Sequence, residues 1–135
     1  MASGIYNNFK ASIMNKEIDL EADSIKCMLM DNVHAFTATH NVLADVIANE
    51  LAAAGNYTTG GDTLTTKAVT KAATTYWGAD DPEWLAATFT AYHAVVYDIT
   101  YDCLICSIDL GGAQTVTAGT LTILLNAVSG ILSLT

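Results

Sequence analysis

Arginine is absent from this 135-residue chain, and five lysines stand against fourteen acids, for a formal net charge of −9. A surface that tracks phosphates would have to be built against that field, which excludes nucleic acid as a partner. Without a guanidinium there is also no bidentate phosphate clamp and no arginine finger. Charge of either sign is scarce, at 14% of residues, where an average globular chain carries about 25%. Hydrophobic residues reach 52%, so this is not the composition of a disordered or solvating segment. There is one proline, Pro82, and only three cysteines, Cys27, Cys103 and Cys106. Three thiols cannot all pair within one chain, and they read first as small buried hydrophobes. The opening Met1-Ala-Ser-Gly-Ile-Tyr-Asn-Asn-Phe-Lys10 has no basic patch followed by an apolar stretch, so no secretory signal is legible.

Mean hydropathy is +0.35, and Leu110 to Thr135 carries no charge. A spanning helix needs about 20 predominantly apolar residues. Here Thr115, Thr117, Thr120, Thr122, Asn126, Ser129 and Ser133 interrupt the run at β-like intervals, so no membrane partner is expected.

A mass of 14.2 kDa corresponds to roughly 6,800 Å² of folded surface and one domain, residues 1–135, with no linker or internal repeat. Eighteen threonines favour pleated strands over helices. Ile5, Phe9 and Ile13 recur at i, i+4, i+8, the signature of a short amphipathic helix or docked N-terminal arm over 1–16. Acids alternate with Ile18, Leu20 and Ala22 from Glu17 to Asp23, and the apolar phase flips at Ile25, which requires a turn or bulge near Glu21 to Ser24. Leu43, Ile47 and Leu51 predict a helix over 42–54, capped by Gly55. Beyond it come strands and turns. Phe89, Ala91, His93, Val95, Tyr97 and Ile99 share one predicted strand face, and Leu104, Cys106, Ile108 and Leu110 another, closed at Gly111-Gly112. A further phase break falls at Gly119. Seven or eight short strands spaced by glycine turns predict an all-β protein, a jelly-roll or Greek-key β-sandwich with one short helix.

Motifs with chemistry are few. Cys103-Leu-Ile-Cys106 has redox or zinc spacing, but there is no second pair, and residues three apart on a strand point to opposite faces. His34, His40 and His93 are too scattered for a zinc site, and Asp80, Asp81 and Glu83 lack the loop that holds calcium. No nucleophile elbow, metalloprotease, P-loop or dinucleotide signature occurs. Neither an enzyme nor a cofactor nor a bound metal is expected. A carbohydrate-binding β-sandwich, stacking sugars on Tyr76, Trp77, Trp84 and Tyr92, is the alternative of another class.

The anomaly is the charge deficit itself. Predicted strands carry Thr, Ala or Tyr even on their polar faces, a surface poorly defended in a monomer, which points to an assembly subunit. Several stretches sharpen this: Met14-Asn-Lys-Glu-Ile-Asp-Leu-Glu-Ala-Asp-Ser-Ile-Lys26, His34-Ala-Phe-Thr-Ala-Thr-His40, Tyr57-Thr-Thr-Gly-Gly-Asp-Thr-Leu64, Ala87-Thr-Phe-Thr-Ala-Tyr-His-Ala-Val-Val-Tyr-Asp98 and Ser107-Ile-Asp-Leu-Gly-Gly-Ala-Gln-Thr-Val-Thr-Ala-Gly-Thr-Leu-Thr-Ile123. With them the chain resembles, over nearly its whole length, small virion proteins of tailed bacteriophages, the capsid decoration (cement) family. It departs from that family at Leu124-Leu-Asn-Ala-Val-Ser129, which has no Trp.

The resemblance implies a head-surface protein, made in the host cytoplasm, that self-associates as a homo-oligomer and binds the major capsid protein to stabilise the shell. A tail, baseplate or head-fibre component is the alternative within the class. It also implies a short helix over 41–47 and a return to strand at 49–52. Ile5, Tyr6, Phe9 and Ile13 of the N-terminal arm are the candidate interface residues.

Overall fold

The β-branched and aromatic residues that suit a pleated backbone gather in the second half of the chain, and the two long strands lie there. The computed structural model describes residues 3–125 and 131–134. Within them the chain runs β1 (Gly4–Ile5), α1 (Asn7–Met14), β2 (Ile25–Met30), two single 3₁₀ turns (Leu43–Asp45 and Ile47–Asn49), β3 (Asp62–Thr63), β4 (Ala68–Thr70), β5 (Thr75–Gly78), β6 (Glu83–Asp98), β7 (Cys103–Thr122) and β8 (Leu132–Leu134). One antiparallel sheet has the order β1-β7-β6-β2-β3 and the other β4-β5-β8. The expected all-β sandwich with one short α-helix is what forms. Its accessible surface, 6929 Å², is close to that of one folded domain of this mass.

Around β2 and the paired halves of β6 and β7 beside it, the larger sheet is buried on both faces. Ile25, Cys27 and Leu29 of β2, Ala94 and Val96 of β6 and Ile105 of β7 meet Trp77 of the second sheet in the main core. The alternate residues Met28, Met30, Val95, Tyr97 and Leu104 form a second core with Tyr6 and Val46. Continuous apolar runs such as 25–30 and 94–97 are the signature of a strand covered on both sides.

Bulges correct the expected faces. The register of β6 on β7 shifts between Val96 and Tyr97, so that Val96 opposes Cys106 and Tyr97 opposes Leu104. Ile105 is the extra residue, and it moves Leu104 to one core and Cys106 to the other. A second shift, between Ala91 and His93, faces a longer excursion of β7: Ala91 pairs with Gln114 and His93 with Asp109. Gly111 and Gly112, at φ 80° and 116°, carry that excursion inside β7, where a closing turn was expected. The predicted faces over 89–99 and 104–110 are therefore each split. The break at Gly119 does occur, with Ala118 at φ 47° as the bulged residue.

The helix over 42–54 does not form. Asp45 Oδ2 accepts from the Asn41 and Val42 amides, and Asp102 Oδ1 from the Leu43 amide, which closes one short turn. After the second turn Glu50 bridges to Met30 and the Leu51 amide donates to the Leu29 carbonyl. Pairing with β2 thus ends the helical path early, closer to what the family resemblance implies. The phase flip before Ile25 is a turn in which Asp19 Oδ1 accepts from the Glu21 and Ala22 amides. The departure noted at 124–129 lies mostly outside the described residues.

Candidate functional site

The N-terminal segment is docked on its own chain. Gly4 and Ile5 pair with Ser107 and Cys106 of β7, the Tyr6 amide donates to the Ile105 carbonyl, and the Asn7 amide donates to the Ala38 carbonyl. Tyr6 and Phe9 lie in the two cores. Of the four candidate interface residues only Ile5 and Ile13 keep surface, 39% and 38% exposed, with Met14 beside them more exposed still. Helical spacing identified the apolar stripe, but an i, i+4 stripe does not say whether it faces the same chain or another.

Beneath this segment His34 and His93, distant in sequence, come together, with His40 near enough to act electrostatically on His34. The His34 and His93 rings are edge to face at 5.2 Å, and His34 Nε2 is 3.0 Å from Ser107 Oγ. Burial, reinforced by neighbouring His93, pushes His34 down to about 4, so it is neutral at pH 7. The Tyr6 hydroxyl, His93 Nδ1 and His40 Nδ1 are buried without a hydrogen-bond partner. Ser107 and His34 are each 1% exposed, and no group of three or more metal-binding side chains is assembled among the described residues.

Five residues beyond His93, at the C-terminal end of β6, buried Asp98 accepts from the Tyr101 amide through Oδ1, while Oδ2 has no hydrogen-bond donor. Asp23 faces it, and a carboxyl pair of this kind is satisfied only when a proton lies between them. Burial and then Asp23 raise the Asp98 pKa above the ordinary carboxylate range. The thiols Cys27, Cys103 and Cys106 are all free and buried, and all three line the main core. The bulge at Ile105 is why Cys103 and Cys106 share a face, contrary to the expectation for an unbroken strand. Burial pushes Cys106 up to about 12 and raises Cys27 and Cys103 as well, so these are packing residues with little thiolate character.

Tyr57-Thr-Thr-Gly-Gly-Asp-Thr-Leu64 acts as a clasp. The Tyr57 hydroxyl donates to Glu50 Oε1 at 2.7 Å and accepts from the Leu29 amide, the Tyr97 hydroxyl donates to the Gly60 carbonyl, and Asp62 pairs with Cys27. Trp77 and Trp84, 2% and 6% exposed, belong to the main core, and Trp77 Nε1 donates to the Leu20 carbonyl. Two of the four proposed sugar-stacking rings are therefore unavailable.

Three concavities, of about 270, 230 and 330 Å³, are open and shallow. The largest of the three is lined by Leu43, Ala44, Ile47, Tyr97, Ile99 and Asp102. The most distinctive surface is the outer half of the β6–β7 pair. There Thr90 and Thr115 place their hydroxyl oxygens 2.9 Å apart across the strands, and Thr88, Thr115, Thr117 and Thr120 are exposed. From Trp84 to Tyr97 and from Leu110 onward there is no acid or lysine. No protein-family profile, curated protein or solved structure matches the chain. What stands defined is a class: a small, acidic, all-β protein whose outer β6–β7 surface is uncharged and rich in threonine.

Proposed function

We propose that the chain is a tailed-phage virion component of the capsid decoration type, which self-associates and binds the major capsid protein on the head surface. The observation that carries this reading is the uncharged threonine-rich surface of the β6–β7 pair on a molecule of net charge −9. Such a face gains from burial against protein, since it has no ion to strip of water and its hydroxyls can hydrogen-bond across the contact. The sequence resemblance gives that burial its setting. Affinity then comes from apolar area and main-chain pairing.

The test is to locate the protein in an electron cryomicroscopy map of the particle that carries it. Density in repeated positions over the head lattice is expected, and density confined to the tail or baseplate overturns the reading. A second arm adds purified chain to heads that lack it. Saturable binding, with a raised temperature of capsid disruption, is the expected result.

A further inference from the structure

The edges of the two sheets are treated unequally. Where β2 ends, at Met30 opposite His93, the outer edge of β6 is covered by a loop. The Thr88 amide donates to the Gly55 carbonyl at 2.9 Å, and Asn56 Nδ2 donates to the Leu85 and Ala86 carbonyls. A Cβ on Gly55, at φ 60°, would stand 1.9 Å from the Thr88 carbonyl oxygen, so the cover is pressed directly on the strand. On β4 the Val69 amide is taken by Glu21 Oε1. β1, β3 and β8 are two or three residues long, and short edges are themselves a defence against pairing. β7 differs. Beyond Ser107, where β1 pairs, no strand among the described residues other than β6 joins it. From Ala113 to Leu121 it has no proline, lysine or acid to deter a neighbour.

We propose that the outer edge of β7 from Ala113 to Leu121 pairs antiparallel with the same edge of a second copy, joining two larger sheets across a two-fold axis. This deepens the reading above, resting on its self-association, and supplies the surface used. The Thr90–Thr115 hydroxyl contact fits the closer, non-hydrogen-bonded type of antiparallel pair. There the Thr115 main-chain N–H and C=O turn away from β6, and by the two-residue period so do those of Thr117. A second copy is the occupant because identical edges run antiparallel across a two-fold axis are self-complementary, each exposed N–H meeting a C=O. Two chains of −9 repel over most of their surfaces, but 113–121 itself carries no charge, with Asp109 beyond one end and Asp81 and Glu83 beyond the other. The acidic turn that carries Asp98 and Asp102 lies at the C-terminal end of β6, seven residues past Ala91 where the seam begins, about 23 Å away at ~3.3 Å per residue and beyond the screening length of about 8 Å. A two-fold contact of this kind closes at the dimer.

The experiment compares the full chain with Thr117→Pro and Thr115→Lys by sedimentation and by amide hydrogen exchange. Proline at 117 removes an N–H that points away from the molecule and is tolerated at a free edge, whereas Thr115→Lys places a charge beside the seam. Wild type should sediment as a dimer at micromolar concentration, with amides 115 and 117 gaining at least tenfold protection as concentration rises. Both variants should sediment as monomers with an unchanged circular dichroism spectrum. A wild-type monomer overturns both the edge pairing and the self-association reading. A dimer that survives in both variants, or unprotected amides at 115 and 117 in a wild-type dimer, overturns the edge alone. Should one variant fail to fold, the other and the wild-type exchange pattern still decide.

Discussion

His34 and Asp98 are buried with opposite consequences for acid stability. His34 is held near 4 in the fold against 6.5 when free, so its stabilising contribution is complete above pH 6.5 and is lost as pH falls toward 4. The difference in unfolding free energy between wild type and His34→Gln should therefore shrink by up to about 3 kcal/mol between pH 7 and pH 4. Urea titrations at several pH values read it, and a constant difference would remove His34 as the cause. Asp98 runs the other way. Its pKa is raised from 3.8 by burial and Asp23, so the fold is favoured while it is protonated and loses that advantage as pH rises. Asp98→Asn keeps an oxygen for the Tyr101 amide and offers Asp23 a donor. It should stabilise the protein at pH 7 by about 1–3 kcal/mol and have little effect near pH 3.5, which thermal melts at the two pH values check. Neither partnership was legible in the sequence, because pairings such as His34 with His93, or Asp23 with Asp98, exist only once β2 and β6 are side by side.

At the scale of elements, α1 separates packing from contact. Phe9 lies in the main core, so Phe9→Ala should cost about 3–5 kcal/mol and Phe9→Asp should prevent folding. Ile13 keeps 38% of its surface, and Ile13→Asp should leave the melting temperature within a few degrees. Head binding by that variant, measured by co-sedimentation, then reports on the arm alone; undiminished binding would take α1 out of the interface. The strands that alternate without interruption, and the turn before Ile25, could be read from residue patterns. The two long strands could not be read whole. A bulge such as Ile105 changes the phase without any glycine or proline to mark it, and Gly111-Gly112 looks the same in sequence whether it closes a hairpin or widens one. The expected helix over 42–54 failed for a related reason: a stripe of Leu43, Ile47 and Leu51 fits a helix, but Leu29 offered the Leu51 amide a strand partner instead.

For the whole molecule, most of the acids stay exposed to solvent while their oxygens also fasten turns and strands. Asp19 closes a turn, Glu21 holds the Val69 amide, and Asp23 Oδ2 accepts from the Asp19 amide. In the stretch 17–23, Glu17, Asp19 and Glu21 stay exposed while the Asp19, Glu21 and Asp23 carboxylates each hold a main-chain amide. Exposed ion pairs contribute about 0.2–1 kcal/mol each and are screened by salt, so 1 M NaCl should leave most of the protein on the particle. Complete stripping by salt at neutral pH, followed by gel analysis of the pelleted heads, would show that charge carries the attachment. The three buried thiols, finally, make the molecule its own clock. In the native state they are shielded from alkylating reagents, so each modification records an opening event, and mass spectrometry counts how many sulfurs one event uncovers. Asn8 on α1 sits 3.6 Å from the Cys103 sulfur, whereas Cys27 and Cys106 belong to the main core away from α1, and Cys106 is paired with Ile5 of β1. Detachment of α1, with β1 still paired, should therefore appear as molecules labelled once, and global unfolding as molecules labelled three times, giving two rates from one reaction without any introduced probe.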